Sequence, residues 1–173
     1  MQRKKVMQKQ KAMQKQKISF AVIAAIFFSA STLSFHAGAQ QAAPSGRQAI
    51  EVRKAAFALI GNSFKPIGDT LQGKIPYNQA EVQKRAARIA LLADWVGEAF
   101  PDASNTGLPD TKAKPEVWSD RATFDKQLNE FREHAATLAR VSAIETSASD
   151  AFKAAAAAVA KDCKGCHDAF KLK

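Results

Sequence analysis

Four runs of apolar residues, spaced alternately by three and four positions, constrain the fold of this 173-residue chain most strongly. Such spacing places the apolar side chains on one face of an amphipathic helix. The four predicted stripes are Phe57, Ile60, Phe64, Ile67 and Leu71; Val82, Ala86, Ile89, Ala93, Val96 and Phe100; Phe124, Leu128, Phe131, Ala135 and Leu138; and Phe152, Ala156, Val159, Cys163, Cys166 and Phe170. The sequence shows no convincing strand alternation, so it predicts an all-α protein.

Capping residues and prolines indicate where these helices begin and end. Pro66 predicts a kink or a frayed end in the first helix. Asn78 predicts the start of the second helix, and Ser119 or Asp120 the start of the third. Residues 101–120 form a connection long enough to suggest a functional or ligand-covering loop. The other two connections are short, which favours an antiparallel up-down-up-down four-helix bundle.

The first 39 residues have the pattern of an export signal. Residues 1–17 carry seven Lys and Arg and no acid, an apolar run follows, and Ala37 and Ala39 are the small residues of a cleavage site. We therefore predict a cleaved signal peptide over 1–39, followed by one mature periplasmic domain over 40–173 that is not bound to a membrane. An uncleaved membrane anchor is the alternative.

The charge of the predicted mature domain argues against nucleic-acid binding. The whole chain has 26 basic and 16 acidic residues, a net charge of +10. Without the seven basic residues of the signal, 19 basic and 16 acidic residues remain, which is +3 without a basic block.

The only two cysteines form a CxxCH motif near the C-terminus. Cys163 and Cys166 lie at i and i+3 on the fourth stripe, and His167 follows directly. A c-type haem requires this pattern, because two thiols bond its vinyl groups while the imidazole reaches the iron. We predict one haem c, covalently bound through two thioethers at Cys163 and Cys166, with His167 as the metal ligand.

Three other interpretations of the cysteines fit less well. A zinc site needs four ligands, and no second ligand pair with suitable spacing is present. A redox CxxC of the thioredoxin type accompanies a βαβ pattern. A Cys163–Cys166 disulfide is possible in an oxidising compartment but leaves His167 unexplained.

The sixth coordination position of the iron has no candidate ligand. All three methionines lie within residues 1–13, in the predicted signal. Folding the third helix back on the fourth about residue 145 places His134 roughly 16 Å from the level of His167. We therefore expect five-coordinate iron and a half-exposed surface histidine at position 134.

Over nearly all of its mature part the chain resembles the cytochromes c′, the class II c-type cytochromes. The resemblance rests on VRKAAFALI, GKIPYNQAEV, KAKPEVWSD and CKGCHDAF. It implies that Arg53 and Lys112 approach the haem propionates and that Phe57 faces the iron on its distal side. From sequence alone, Arg53 is otherwise an exposed helix residue and Phe57 a core residue. Family members often have arginine where this chain has Lys171, which lacks the planar fork.

The predicted function is that of an exported, high-spin haem protein rather than an enzyme. It binds diatomic gases such as nitric oxide and carbon monoxide, transfers electrons to small redox partner proteins, or does both. The resemblance also implies a homodimer through the first two helices. The alternatives are a pure electron carrier, a peroxidase-like catalyst, which would lack a distal histidine, and a bundle that uses haem only as a structural element.

Overall fold

A computed structural model describes residues 45–107 and 109–173, and in this part of the chain all four predicted helices are present. They are α1 (Gly46–Leu71), α2 (Gln79–Trp95), α3 (Arg121–Ile144) and α4 (Asp150–Phe170). The predicted signal peptide and its cleavage site lie outside the described residues. None of the described helices has the length and apolar character that a membrane span requires.

Each helix begins at a polar side chain that accepts a hydrogen bond from the backbone N–H three residues later. These capping residues are Ser45, Asn78, Asp120 and Ser149. The prediction for Asn78 is therefore confirmed, and the third helix begins after Asp120 rather than Ser119.

The predicted stripes of α2 and α3 are confirmed as the centre of the core. All of their members are buried, including the continuation of the second stripe through Val96 and Phe100. The stripe of α4 is buried at Phe152, Ala156, Val159 and Phe170, whereas its two cysteines are only partly covered.

The stripe of α1 was predicted only in part. Ile60 and Ile67 are buried, but Phe57, Phe64 and Leu71 are only partly covered. The deeper face of α1 also carries Ile50 and several small or polar residues: Ala49, Arg53, Ala56, Ser63 and Thr70.

Pro66 does not end α1, which continues to Leu71. Proline has no N–H, so the carbonyl of Asn62, four residues earlier, loses its partner within the helix. Arg85 of α2 donates to this carbonyl, with 3.3 Å between Nη1 and the oxygen. A neighbouring helix thus satisfies the carbonyl at the position where the sequence predicted a kink or a frayed end.

The long connection after α2 is partly ordered into short turns. It contains 3₁₀ turns at Val96–Ala99 and Asp102–Ser104 and a helical turn at Glu116–Ser119. Gly46, at the start of α1, packs so closely on this connection that an added Cβ would lie 1.9 Å from the carbonyl oxygen of Ala103. A side chain at position 46 would therefore push the two segments apart.

The four helices form the predicted bundle. Helix α2 packs between α1 and α3, and α4 packs along α3, whereas α1 and α4 contact each other much less. A cavity lies where these two helices are separated.

Candidate haem site

A cavity of about 730 Å³ is lined by α1, α3, α4 and the long connection. This volume is within the range of about 300–1,000 Å³ that is usual for cofactor sites. Its lining includes every residue predicted for the site: Arg53, Phe57, Lys112, Cys163, Cys166 and His167. Helix α2 itself contributes no lining residue, and only Phe100, at the end of its stripe, reaches the lining.

The two cysteines are not joined by a disulfide, and both pack against the hydrophobic core. The pKa of Cys163 is raised to about 11, first because burial disfavours the thiolate and then because of the nearby Asp162 and Cys166. The pKa of Cys166 is also raised, first by burial and then by Asp162. Both side chains are therefore neutral thiols at physiological pH.

His167 lies at the edge of the cavity, one helical turn after Cys163, and is partly open to solvent. Its pKa is lowered, first by burial and then by the positive charge of Lys171, while Asp168 acts in the opposite direction. Both larger effects favour the neutral imidazole, which is the form that binds a metal.

Arg53 is buried, with 3% of its surface exposed, so the interpretation as an ordinary exposed arginine is wrong. Its guanidinium donates at 2.7 Å to the hydroxyls of Ser104 and Thr111, and at 3.2 and 3.3 Å to the carbonyls of Ser104 and Ala99. It also lies over the rings of Phe100 and Trp118, 4.9 and 5.6 Å from their centroids. All four acceptors are uncharged, and loss of hydration lowers the pKa of the guanidinium.

Aromatic side chains of α1 form an apolar part of the lining. Phe57 and Phe64 lie two turns apart and are both partly buried. The ring of Phe57 packs edge-on against Phe100, with 6.3 Å between centroids. Phe57 is thus both a residue packed against the core and a lining residue of the cavity.

Lys112 lies in the exposed part of the lining. With Lys171 and Lys173 it also lines a shallow hollow beside His167. The cations near His167 therefore come from both the long connection and the C-terminal segment.

His134 is far from the position of an axial ligand. The link between α3 and α4 is centred on residue 147, not 145, so His167 is level with residue 127. His134 is then about 10 Å away along the bundle. Its side chain is 43% exposed, as expected, and its Nδ1 lies 2.7 Å from the carboxylate of Asp162.

Several polar residues of the site were not predicted from the sequence. Ser104 and Thr111 are buried and hold Arg53, Asp162 lies beside the first cysteine, and Gln127 lines the cavity. The Oε1 atom of Gln127 is buried and has no hydrogen-bond partner among the described residues. Two of them adjoin a motif, since Thr111 precedes KAKPEVWSD and Asp162 precedes CKGCH, whereas no motif lies next to Ser104 or Gln127.

Comparison with known proteins agrees with this arrangement. A sequence model of the family described as cytochrome C′ matches residues 48–171. Among curated proteins, cytochrome c′ of Rhodopseudomonas palustris is 39% identical over 124 residues, covering 72% of this chain and 82% of the relative. Cytochrome c′ of Rubrivivax gelatinosus is 36% identical and covers 72% and 95%.

Solved structures are similar over the same part of the chain. Cytochrome c prime from Shewanella frigidimarina has a TM-score of 0.69 and 37% identity, covering 75% of this chain and 98% of its own. A variant of cytochrome c prime from Alcaligenes xylosoxidans with bound NO has a TM-score of 0.65 and 28% identity, covering 75% and 97%. The matched region, the bundle and the CxxCH motif lead to one conclusion: this chain belongs to the cytochrome c′ family and is a protein that binds haem c covalently.

Proposed function

We propose that this protein binds diatomic gases, nitric oxide foremost, at a haem held in the cavity, and that it also exchanges electrons with small redox partner proteins. The observation that carries the proposal is that one cavity contains both cysteines, His167 and the apolar side chains of α1. The nitric oxide bound to the Alcaligenes xylosoxidans relative supports the choice of ligand.

The residues of the cavity fit a haem c. Cys163 and Cys166 would supply the two thioethers, and His167 the proximal ligand. Arg53, a buried cation with only uncharged acceptors, calls for an anionic partner, and a haem propionate would supply one. Lys112 would lie close enough to the opening of the cavity to attract the haem propionates.

When bound, the haem supplies an iron that takes up diatomic gases and exchanges one electron. The residues that line the cavity determine which ligands reach the iron. Phe57, Ile60 and Phe64 make the α1 side of the cavity apolar, so a neutral gas enters at little cost while an anion loses its hydration. His134 lies about 10 Å from the level of His167 along the bundle, too far to serve as a distal acid or base, which supports gas binding and electron transfer rather than catalysis.

Replacing Phe57 by alanine tests the gas-binding role. If the ring covers the open face of the iron, Phe57→Ala should speed carbon monoxide and nitric oxide binding at least about tenfold, as expected from about 1.4 kcal/mol off the entry barrier. Because Phe57 is only partly buried, its loss should destabilise the fold by less than the 3 to 5 kcal/mol that is usual for a core phenylalanine. Stopped-flow binding and urea unfolding give both quantities.

Ile67→Ala is the matched control. Ile67 is fully buried on the same helix but does not line the cavity, so its loss should lower stability without changing the binding rates. Phe57→Met should place a thioether near the iron and produce a six-coordinate, low-spin spectrum. Unchanged rates in Phe57→Ala together with an unchanged spin state in Phe57→Met would remove Phe57 from the gas site.

We further propose that the mature chain begins near Gln40, is periplasmic and forms a homodimer through α1 and α2. Large apolar side chains exposed on these two helices support the dimer: Leu59, Leu91 and Trp95 are 50%, 72% and 43% exposed. Sedimentation equilibrium tests it, since a strictly monomeric protein at micromolar concentration would rule this assembly out.

A further inference from the structure

The last turn of α4 depends on one residue of the long connection. The end of a helix leaves four carbonyls without intrahelical partners. In α4 these belong to His167, Asp168, Ala169 and Phe170. The carbonyl of His167 accepts a hydrogen bond from the N–H of Lys171 at 3.2 Å. The other three all accept from Lys114: its ammonium donates to Asp168 and Ala169 at 3.0 Å each, and its backbone N–H donates to Phe170 at 2.9 Å.

Backbone pairing holds Lys114 in this position. Ala113 and Lys171 form an antiparallel bridge, and the N–H of Leu172 donates to the carbonyl of Lys112 at 2.8 Å. Lys114 is partly buried, and its charge faces the negative end of the α4 dipole. It is therefore a fixed, charge-assisted C-terminal cap rather than a mobile surface lysine.

This capped turn begins at His167. If the turn unwinds, the Cα–Cβ direction of residue 167 changes, and the imidazole leaves the place at the edge of the cavity that it has in the intact helix. The same connection carries Thr111, which holds Arg53 of α1. The segment that fixes the end of α4 is thus anchored at the other side of the cavity.

We propose that Lys114 is a positioning residue for the proximal ligand: it keeps the last turn of α4 helical and holds the His167 imidazole in one orientation towards the iron. This inference rests on the proposed role of His167 as the iron ligand. It assigns to Lys114 an effect on the iron–histidine bond in addition to its effect on stability.

The test compares Lys114→Gln, Lys114→Arg and Lys173→Gln in the haem-loaded protein. Glutamine removes the charge at the cap, and arginine keeps the charge and can still donate to both carbonyls. Lys173→Gln removes an equal charge from the hollow beside His167, which Lys114 does not line. Resonance Raman spectroscopy of the ferrous protein measures the iron–histidine stretching band, and thermal unfolding measures stability.

In Lys114→Gln we expect a second, shifted iron–histidine band with about a tenfold larger population of misoriented imidazole. A tenfold change in this population corresponds to a free-energy difference of about 1.4 kcal/mol. Lys114→Arg and Lys173→Gln should keep the wild-type band.

An unchanged band in Lys114→Gln, even with a lowered melting temperature, would overturn the proposal and leave Lys114 as a structural cap only. A shifted band in Lys114→Arg with unaltered melting would overturn it as well, and this keeps the proposal testable if the glutamine variant does not fold. If the wild-type protein has no iron–histidine band, the assignment of His167 as ligand fails instead.

Discussion

Arg53→Met removes the buried cation that we assign to the haem propionates while keeping an apolar chain of similar length. In the structure the guanidinium makes four hydrogen bonds, two of them at 2.7 Å, and lies over two aromatic rings. Hydrogen bonds to a charged group contribute about 1.5–3 kcal/mol each, and cation–π contacts about 0.5–2 kcal/mol. The desolvation of the guanidinium, several kcal/mol, opposes these gains.

The haem-loaded protein should be sensitive to this change because a propionate would then lose its buried partner. Removal of one member of a buried charge pair costs about 3–5 kcal/mol, and this is the expected loss for Arg53→Met. The reduction potential should also fall, since the removed positive charge stabilises the ferrous state. Arg53→Lys keeps the charge but not the planar fork. Its stability should therefore fall by part of this amount, while its reduction potential should change little.

Urea unfolding and spectroelectrochemical titration of the haem-loaded variants measure the two effects. If Arg53→Met loses less than about 1 kcal/mol and keeps the wild-type potential, Arg53 is not the partner of a propionate. A large loss of stability with an unchanged potential would instead limit its role to holding Ser104 and Thr111 in the long connection.

Two further predictions concern the cysteines and export. In the folded haem-free chain, burial raises the pKa of Cys163 to about 11, so its alkylation by iodoacetamide should keep accelerating up to that pH, whereas in urea the rate should level off near about 8.5. A plateau near the lower value in the folded chain would mean that the thiol is not buried. N-terminal sequencing of the protein from the periplasmic fraction should start at or close to Gln40, and a chain that retains residues 18–35 would indicate a membrane anchor.

Regular periodicity explains which parts of the fold could be predicted. The stripes of α2 and α3 are uniformly apolar and repeat with the helical period, and their members are all buried. In α1 the predicted stripe found Ile60 and Ile67 but not the rest of the buried face, because that face includes the polar residues Arg53, Ser63 and Thr70. Their burial depends on packing against other segments, which helical spacing does not encode.

Some residues of the candidate site could likewise be predicted from sequence spacing, and others could not. Cys163, Cys166 and His167 are adjacent in sequence, so their spacing alone predicted that they act together. The partners of Arg53 are 46 to 58 positions away in the long connection, where no helical period places them. Lys114 was visible only as part of a family motif, and its role as the α4 cap depends on tertiary pairing.

The most direct test of the central claim is whether haem stays on the polypeptide. Intact mass spectrometry of the purified protein, before and after extraction with acidified acetone, should show one haem added to the chain in both samples. Thioether bonds at Cys163 and Cys166 predict that result. A mass that falls to that of the bare polypeptide after extraction would contradict covalent attachment at the two cysteines.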